Sequence, residues 1–98
     1  MSSFPIKLTK AAIDKINAYH LLLAVPNDHG LRIGVKKEGA HLKKIVGFDT
    51  KRFTDQKFLV EDITFFIDRR ELKHFENVTL DFKETANHKG FVFREPKP

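Results

Sequence analysis

The sequence predicts a mostly β domain with one N-terminal helix, arranged as a small sandwich or distorted barrel of about six or seven short strands. Apolar residues recur at helical spacing near the N-terminus, and farther along they alternate with polar residues between regularly placed turns. Ninety-eight residues suffice for one hydrophobic core. We therefore expect a single domain over 1–98, with flexible ends at about residues 1–5 and 94–98.

The helix should begin near Lys10. Thr9 precedes it and can cap it by accepting a hydrogen bond from a backbone N–H. Four apolar residues follow at spacings of three and four, which predicts one buried face: Ala12, Ile16, Tyr19 and Leu23. Pro26 cannot continue a helix, and the turn after it ends at Gly30, which is available for a positive φ.

Six later segments have the composition of strands. They are residues 31–35, 45–48, 58–60, 64–67, 78–82 and 91–93. Residues 39–41 should start a loop before the second strand, and residues 51–56 should form a polar connection after it. Asp68 can cap a short helical turn.

The composition excludes several classes of chemistry. The chain has no cysteine, so it contains no disulfide, no thiol nucleophile and no thiolate metal ligand. No run of about 20 apolar residues is present, and the first residues lack the features of a secretory signal. We therefore expect a cytoplasmic protein with no membrane association. The net charge of +5 favours acidic partners.

A series of short motifs runs along almost the whole chain, from about Ile6 to Pro96. The motifs are Leu8-Thr9-Lys10-Ala11-Ala12, Gly30-Leu31-Arg32-Ile33-Gly34-Val35-Lys36, Gly39, Gly47-Phe48-Asp49, Ile67-Asp68 with Leu72, Leu80-Asp81-Phe82, and Gly90-Phe91-Val92-Phe93 with Pro96. In this order and spacing the sequence resembles the HesB-like, or A-type, iron–sulfur cluster carrier family of iron–sulfur cluster biosynthesis. The resemblance implies the HesB-like fold and a homo-oligomer, either a dimer or a tetramer.

The chain departs from this family at the cluster ligands. Members carry three cysteines, and where the first follows the loop glycine this chain has Ala40 after Gly39. The other two form a Cys-Gly-Cys segment that would lie beyond Pro98, where the chain stops. The iron of these clusters is held by thiolates. The resemblance therefore implies a degenerate, cysteine-free member in which no iron–sulfur cluster or other cofactor is expected.

Few residues offer other chemistry. His41 is the one candidate metal ligand, since an imidazole can bind iron or zinc and it lies in the loop of the lost cysteine; only Glu38 accompanies it. No metal site is therefore expected. The only serines are Ser2 and Ser3, and Glu61-Asp62 occupies adjacent positions whose side chains point in different directions. We expect no enzyme and no catalytic residue.

The central loop is basic. If the strands on either side pair as a hairpin, six positive charges should gather near one end: Lys36, Lys37, Lys43, Lys44, Lys51 and Arg52. They could attract phosphate groups or an acidic protein surface. Phe48 and Phe53 have the setting of core or edge residues and not of a stacking platform, which argues against nucleic acid.

The sequence thus favours a non-catalytic accessory module that associates with iron–sulfur assembly proteins, for example with a thiol-bearing relative. The interaction-loop candidates are Gly39, Ala40, His41, Lys43 and Lys44. The apolar interface candidates are Phe65, Phe66 and Phe75, although burial in the core is expected for most of the phenylalanines. Two alternatives remain open. One is binding of iron or zinc by His41 and carboxylates, and the other is a basic module for nucleic acid or an acidic partner.

Overall fold

A computed structural model of the chain describes residues 3–97. In chain order these residues form β1 (Lys7–Leu8), α1 (Lys10–Leu22), β2 (His29–Glu38), β3 (His41–Thr50), β4 (Asp55–Val60), β5 (Ile63–Asp68), a 3-10 helix (Arg69–His74), β6 (Thr79–Glu84) and β7 (Lys89–Arg94). The mostly β class with one main helix is confirmed. The two-residue β1 was not predicted, because two residues are too few to show a period.

The strands form two sheets, with the orders β1-β6-β7 and β3-β2-β5-β4, and the described residues contain no closed barrel. Residues 3–24 with 75–97 make one compact unit, and residues 25–74 make another. Met1, Ser2 and Pro98, which belong to the predicted flexible ends, lie outside the described residues. The single domain stays a prediction. No helix of residues 3–97 is long and apolar enough to cross a bilayer.

In the first unit, α1 begins where the sequence predicts. The Thr9 hydroxyl accepts a hydrogen bond from the Ala12 N–H at 3.1 Å and donates one to Asp81 Oδ1 at 2.6 Å, so it caps the helix and ties its start to β6. Ala12 and Ile16 are buried, whereas Leu23 is 62% exposed. The predicted apolar face was wrong at Leu23, because α1 ends at Leu22 and Leu23 is its C-cap.

The first unit is completed by a parallel pairing of β1 with β6 and an antiparallel pairing of β6 with β7. The rings of Phe82 and Phe91, opposite each other on β6 and β7, meet edge to face at a centroid distance of 5.1 Å. Arg94 belongs to β7 and donates to Asp81 at 2.6 Å, so the regular structure extends one residue beyond the predicted strand and into the predicted loose end.

In the second unit, β2 pairs antiparallel with β3 over ten residues and parallel with β5, which pairs antiparallel with β4. Leu31 and Ile33 are buried, as the alternation in β2 predicts for its inward residues, and Val35 is half-buried. Gly30 lies inside β2 and does not have a positive φ. Its prediction as a turn glycine was wrong: a Cβ there would lie 2.8 Å from the Phe66 ring, so close packing requires glycine.

Three further expectations need correction. β3 begins at His41 and not at residue 45, and Asp55 belongs to β4 and is fully buried instead of lying in a polar connection. The apolar interface candidates are core residues, since Phe65 and Phe75 are 0% exposed and Phe66 is 4% exposed. Their large apolar side chains gain more free energy from burial than an exposed interface position would give them.

Candidate functional site

The turn between β2 and β3 is the part of the structure that corresponds to the predicted interaction loop. Only Gly39 and Ala40 lie outside the strands, and Glu38 stands opposite His41 as the last pair of the ladder. Gly39 has a φ of 58°, and glycine at the first of two turn residues is typical of a type II′ hairpin. Since His41, Lys43 and Lys44 belong to β3, the candidate site is the tip of a regular hairpin.

Four of the six positive charges gather at this tip. Lys36 stands directly opposite Lys43, Lys37 is opposite Leu42 and Lys44 is opposite Val35, all within the four pairs next to the turn. Like charges opposite each other across a strand pair destabilise the pair. Electrostatic repulsion between Lys36 and Lys43 therefore destabilises the tip, and a bound anion would reduce this repulsion.

Lys51 and Arg52 lie elsewhere, and their predicted place at the tip was wrong. Thr50 pairs with His29 at the end of the hairpin that is remote from the turn. The antiparallel strand carries the chain back over ten residues, which is roughly 30 Å, before it reaches Lys51.

The 3-10 helix supports β2 near the tip. Glu71 Oε1 accepts a hydrogen bond from the Val35 N–H at 3.1 Å. β5 pairs with β2 at Leu31 and Arg32, so the Glu71 carboxylate provides an acceptor at a position of β2 that lies past this pairing. The same oxygen would lie 3.0 Å from a Cβ at position 34, so Gly34 leaves room for the carboxylate. Glu71 was not predicted from the sequence, because its partner is 36 residues away.

A charged network holds the opposite end of the hairpin. The Arg32 guanidinium donates to both carboxylate oxygens of Asp55 at 2.6 Å and to Asp49 Oδ2 at 2.8 Å. These hydrogen bonds hold the pKa of the Asp55 and Asp49 carboxyls below their usual range. Asp55 also accepts from the Arg52 N–H at 2.6 Å, so the network fixes the turn after β3. Its groups are paired with one another, which fits a structural role.

The turn residues do not supply the donors that an iron–sulfur cluster uses. Ala40 has no donor atom, and His41 is exposed with only Glu38 opposite it. Within residues 3–97, no three His, Asp or Glu side chains come together in a way that could hold a metal ion. His29, which was predicted to lie in a turn, is the first residue of β2 and its Nδ1 lies 2.8 Å from Asp28 Oδ1.

Phe53 differs most from its prediction. It is 95% exposed in the turn after β3, whereas Phe48 is half-buried. The polar neighbours Arg52 and Thr54 are the signal that could have predicted this exposure, because they show no apolar alternation on either side of the ring. Three exposed leucines at the end of α1 were also missed: Leu21, Leu22 and Leu23.

Comparisons with solved structures identify the fold. The chain superposes on SufA from Escherichia coli, which is involved in biosynthesis of iron–sulfur clusters, with a TM-score of 0.77 and 23% identity over 100% of this chain and 86% of SufA. It also matches IscA with a [2Fe-2S] cluster, with a TM-score of 0.69 and 20% identity over 93% of this chain and 82% of IscA.

A third match is the solution structure of a protein from Aquifex aeolicus, with a TM-score of 0.73 and 24% identity over 98% of this chain and 96% of that one. By sequence alone, no model of a protein family and no characterised protein matches the chain. The chain therefore has the fold of the A-type iron–sulfur carriers, as the order of its motifs predicts.

Proposed function

We propose that this chain is a non-catalytic, cytoplasmic accessory module of iron–sulfur cluster assembly that acts by binding other proteins. One observation carries the proposal: the likeness to SufA spans the whole chain, yet the chain contains no cysteine. A scaffold that lacks thiolates cannot hold a cluster in the usual way, so association with other proteins is a role that this fold could serve without them.

Two kinds of association follow from this proposal. The chain forms a homo-oligomer, and it binds iron–sulfur assembly proteins, including a cysteine-bearing relative of the same fold. The hairpin tip supports the second association, because His41 and Lys43 are exposed on β3 next to the two-residue turn. A partner that presents carboxylates would relieve the repulsion between Lys36 and Lys43.

The test is the mass of the protein in solution, alone and mixed with SufA, measured by light scattering coupled to gel filtration. Alone, the protein should have a mass that is a small multiple of the 11.4 kDa chain. The mixture should contain a species heavier than either component, and a basic protein of similar size and unrelated fold should give no such species with SufA. If neither SufA nor IscA forms a complex at concentrations of about 0.1 mM, the proposed association is wrong.

A further inference from the structure

The turn between β3 and β4 exposes an aromatic ring. It consists of residues 51–54, and Phe53 within it is 95% exposed. Phe53 contributes little to the hydrophobic core, since the free energy gained by burying a phenylalanine depends on the area removed from water. One exposed apolar side chain is common on protein surfaces and by itself indicates no function. A function for this ring therefore depends on the residues around it.

Four exposed positive side chains lie in this turn or directly beside it: Lys51, Arg52, Arg69 and Arg70. The first two precede Phe53, and the other two begin the 3-10 helix. Hydrogen bonds join the two segments. The Arg69 N–H donates to the Thr54 carbonyl oxygen at 2.9 Å, and Arg69 Nη1 donates to the Phe53 carbonyl oxygen at 3.4 Å. Positive charge from two distant parts of the sequence therefore collects at the exposed ring.

Two of these four charges lack a carboxylate partner. Arg52 and Arg70 are each paired with an aspartate. Lys51 Nζ donates to the Arg52 carbonyl oxygen at 3.5 Å, and Arg69 Nη1 donates to a carbonyl oxygen as well, so neither side chain forms an ion pair within residues 3–97. The turn therefore keeps positive charge that an anionic ligand can neutralise.

The backbone of the turn is held in place before any ligand binds. The Asp55 carboxylate accepts a hydrogen bond from the Arg52 N–H at 2.6 Å, and the Asp55 N–H donates to the Arg52 carbonyl oxygen at 3.1 Å. After Phe53 in the chain, the Thr54 hydroxyl donates to Asp68 Oδ2 at 2.8 Å. A ligand would therefore meet a preorganised turn, which lowers the entropy loss on binding.

The ring and the charges together fit single-stranded nucleic acid. Unpaired bases stack on exposed aromatic side chains, and lysine and arginine attract the phosphates next to them. A bilayer surface would need more apolar area than one ring. The centre of a protein interface is depleted of charged residues, whereas Phe53 follows Arg52 and accepts a hydrogen bond from Arg69. The bases of a duplex are stacked on one another, so a ring on a turn reaches only unpaired bases.

We propose that the β3–β4 turn binds single-stranded nucleic acid. The Phe53 ring stacks on one base, and Lys51 and Arg69 bind neighbouring phosphates. Stacking and phosphate contacts carry little sequence information, so DNA and RNA strands of different sequence should bind alike. This activity is independent of the proposed association with other proteins, which uses the hairpin tip at the other end of β3.

The test measures the fluorescence anisotropy of a labelled DNA strand of ten thymidines as the protein is added at low salt. Phe53→Ala should raise the Kd at least about fivefold, because stacking on the ring is lost. Phe53→Trp should keep the affinity, since its ring also stacks. Both variants should keep the Tm, because the side chain is exposed. Leu59→Ala, which shortens an exposed side chain of β4, is the matched control and should leave the Kd unchanged.

The role of charge is tested through the dependence of binding on salt. Lys51→Ala and Arg69→Ala should each weaken binding and reduce the steepness of log K against log salt by about 0.7, the contribution of one phosphate contact on a single strand. Lys37→Ala is the matched control, because it removes an exposed charge at the hairpin tip and should leave the steepness unchanged. An RNA strand of ten uridines should give the same pattern among the variants.

Three results with the DNA strand would overturn the proposal. They are the absence of saturable binding up to about 1 mM protein, binding that Phe53→Ala leaves unchanged, and binding that Lys37→Ala weakens and Lys51→Ala does not. Equally tight binding of polyglutamate would overturn it in favour of an acidic protein partner. Binding of vesicles that contain phosphatidylserine, lost in Phe53→Ala, together with no binding of the DNA strand would overturn it in favour of a membrane surface.

Discussion

Asp55 shows how a single side chain can fix the geometry around it. It is fully buried, and both of its oxygens accept hydrogen bonds from Arg32, whose side chain is only 12% exposed. Asp55→Ala leaves Arg32 with Asp49 as its one remaining carboxylate and leaves the Arg52 N–H without its acceptor, so it should lower the free energy of unfolding by about 3 kcal/mol. Urea unfolding followed by circular dichroism measures this loss.

The matched control is Asp14→Ala, which removes an exposed partner of Lys10 and should leave the midpoint of unfolding unchanged. Equal losses in the two variants would show that the Arg32 network does not stabilise the fold.

The same carboxylates predict how stability depends on pH. Hydrogen bonds from Arg32 hold the pKa of Asp55 and Asp49 below the usual value, and the Arg70 side chain does the same for Asp68. The unfolded chain therefore takes up protons first as the pH falls. The stabilisation is complete above the unfolded pKa of about 4 and is lost below it.

The urea midpoint should thus fall steeply between about pH 4 and about pH 2.5, and the fall should be shallower in Asp55→Ala. A midpoint that stays constant over this range would contradict the assignment of these ion pairs.

At the scale of elements, the β2–β3 and β4–β5 hairpins differ in how well the residue types at their two-residue turns fit the backbone conformation. Glu61 and Asp62 join β4 to β5 with φ values of 52° and 62°, although left-handed backbone disfavours side chains such as that of glutamate. A turn with two positive φ values prefers Asn-Gly. Glu61→Asn with Asp62→Gly should therefore raise the free energy of unfolding by about 1 kcal/mol, which calorimetry would detect as a Tm higher by about 4–8 °C.

Gly39→Ala tests the opposite change, from a residue that suits a positive φ to one that does not. Gly39 has a φ of 58°, and a Cβ there would meet no atom within 4 Å. It should lower the Tm through backbone strain alone. If neither change moves the Tm, turn conformation does not limit the stability of these hairpins.

The elements also show what can be predicted from the sequence. Local signals were sufficient for the start of α1 at Thr9 and for the alternating residues of β2, because caps and periodicity involve near neighbours. They failed for β3, whose first four residues are polar except for Leu42 and become a strand only through pairing with β2. They also failed for Gly30, because glycine is required there by close packing against the ring of Phe66, which is distant in sequence. The candidate turn was located from family motifs, whereas the contact of Glu71 with β2 depends on the tertiary structure.

At the scale of the whole molecule, the fold does not determine which chemistry the chain can carry out. The chain matches IscA over 93% of its length, yet Ala40 stands at the turn and cysteine is absent. A fold does not by itself imply a function, because function depends on the groups placed on it. What this chain places at the β2–β3 hairpin is positive charge, which the proposed association with other proteins would use.

The last prediction tests whether any cofactor chemistry remains in the molecule. After anaerobic incubation with iron and sulfide, the desalted protein should be colourless and free of metal, because thiolates are absent and residues 3–97 bring together no three other ligands. Its Tm should not change, whereas a ligand at about 100 times its Kd would add about 2.7 kcal/mol of stability. IscA, whose structure contains a [2Fe-2S] cluster, is the positive control. Stoichiometric metal or a visible charge-transfer band would contradict the prediction, and its loss in His41→Ala would then identify the turn as the binding site.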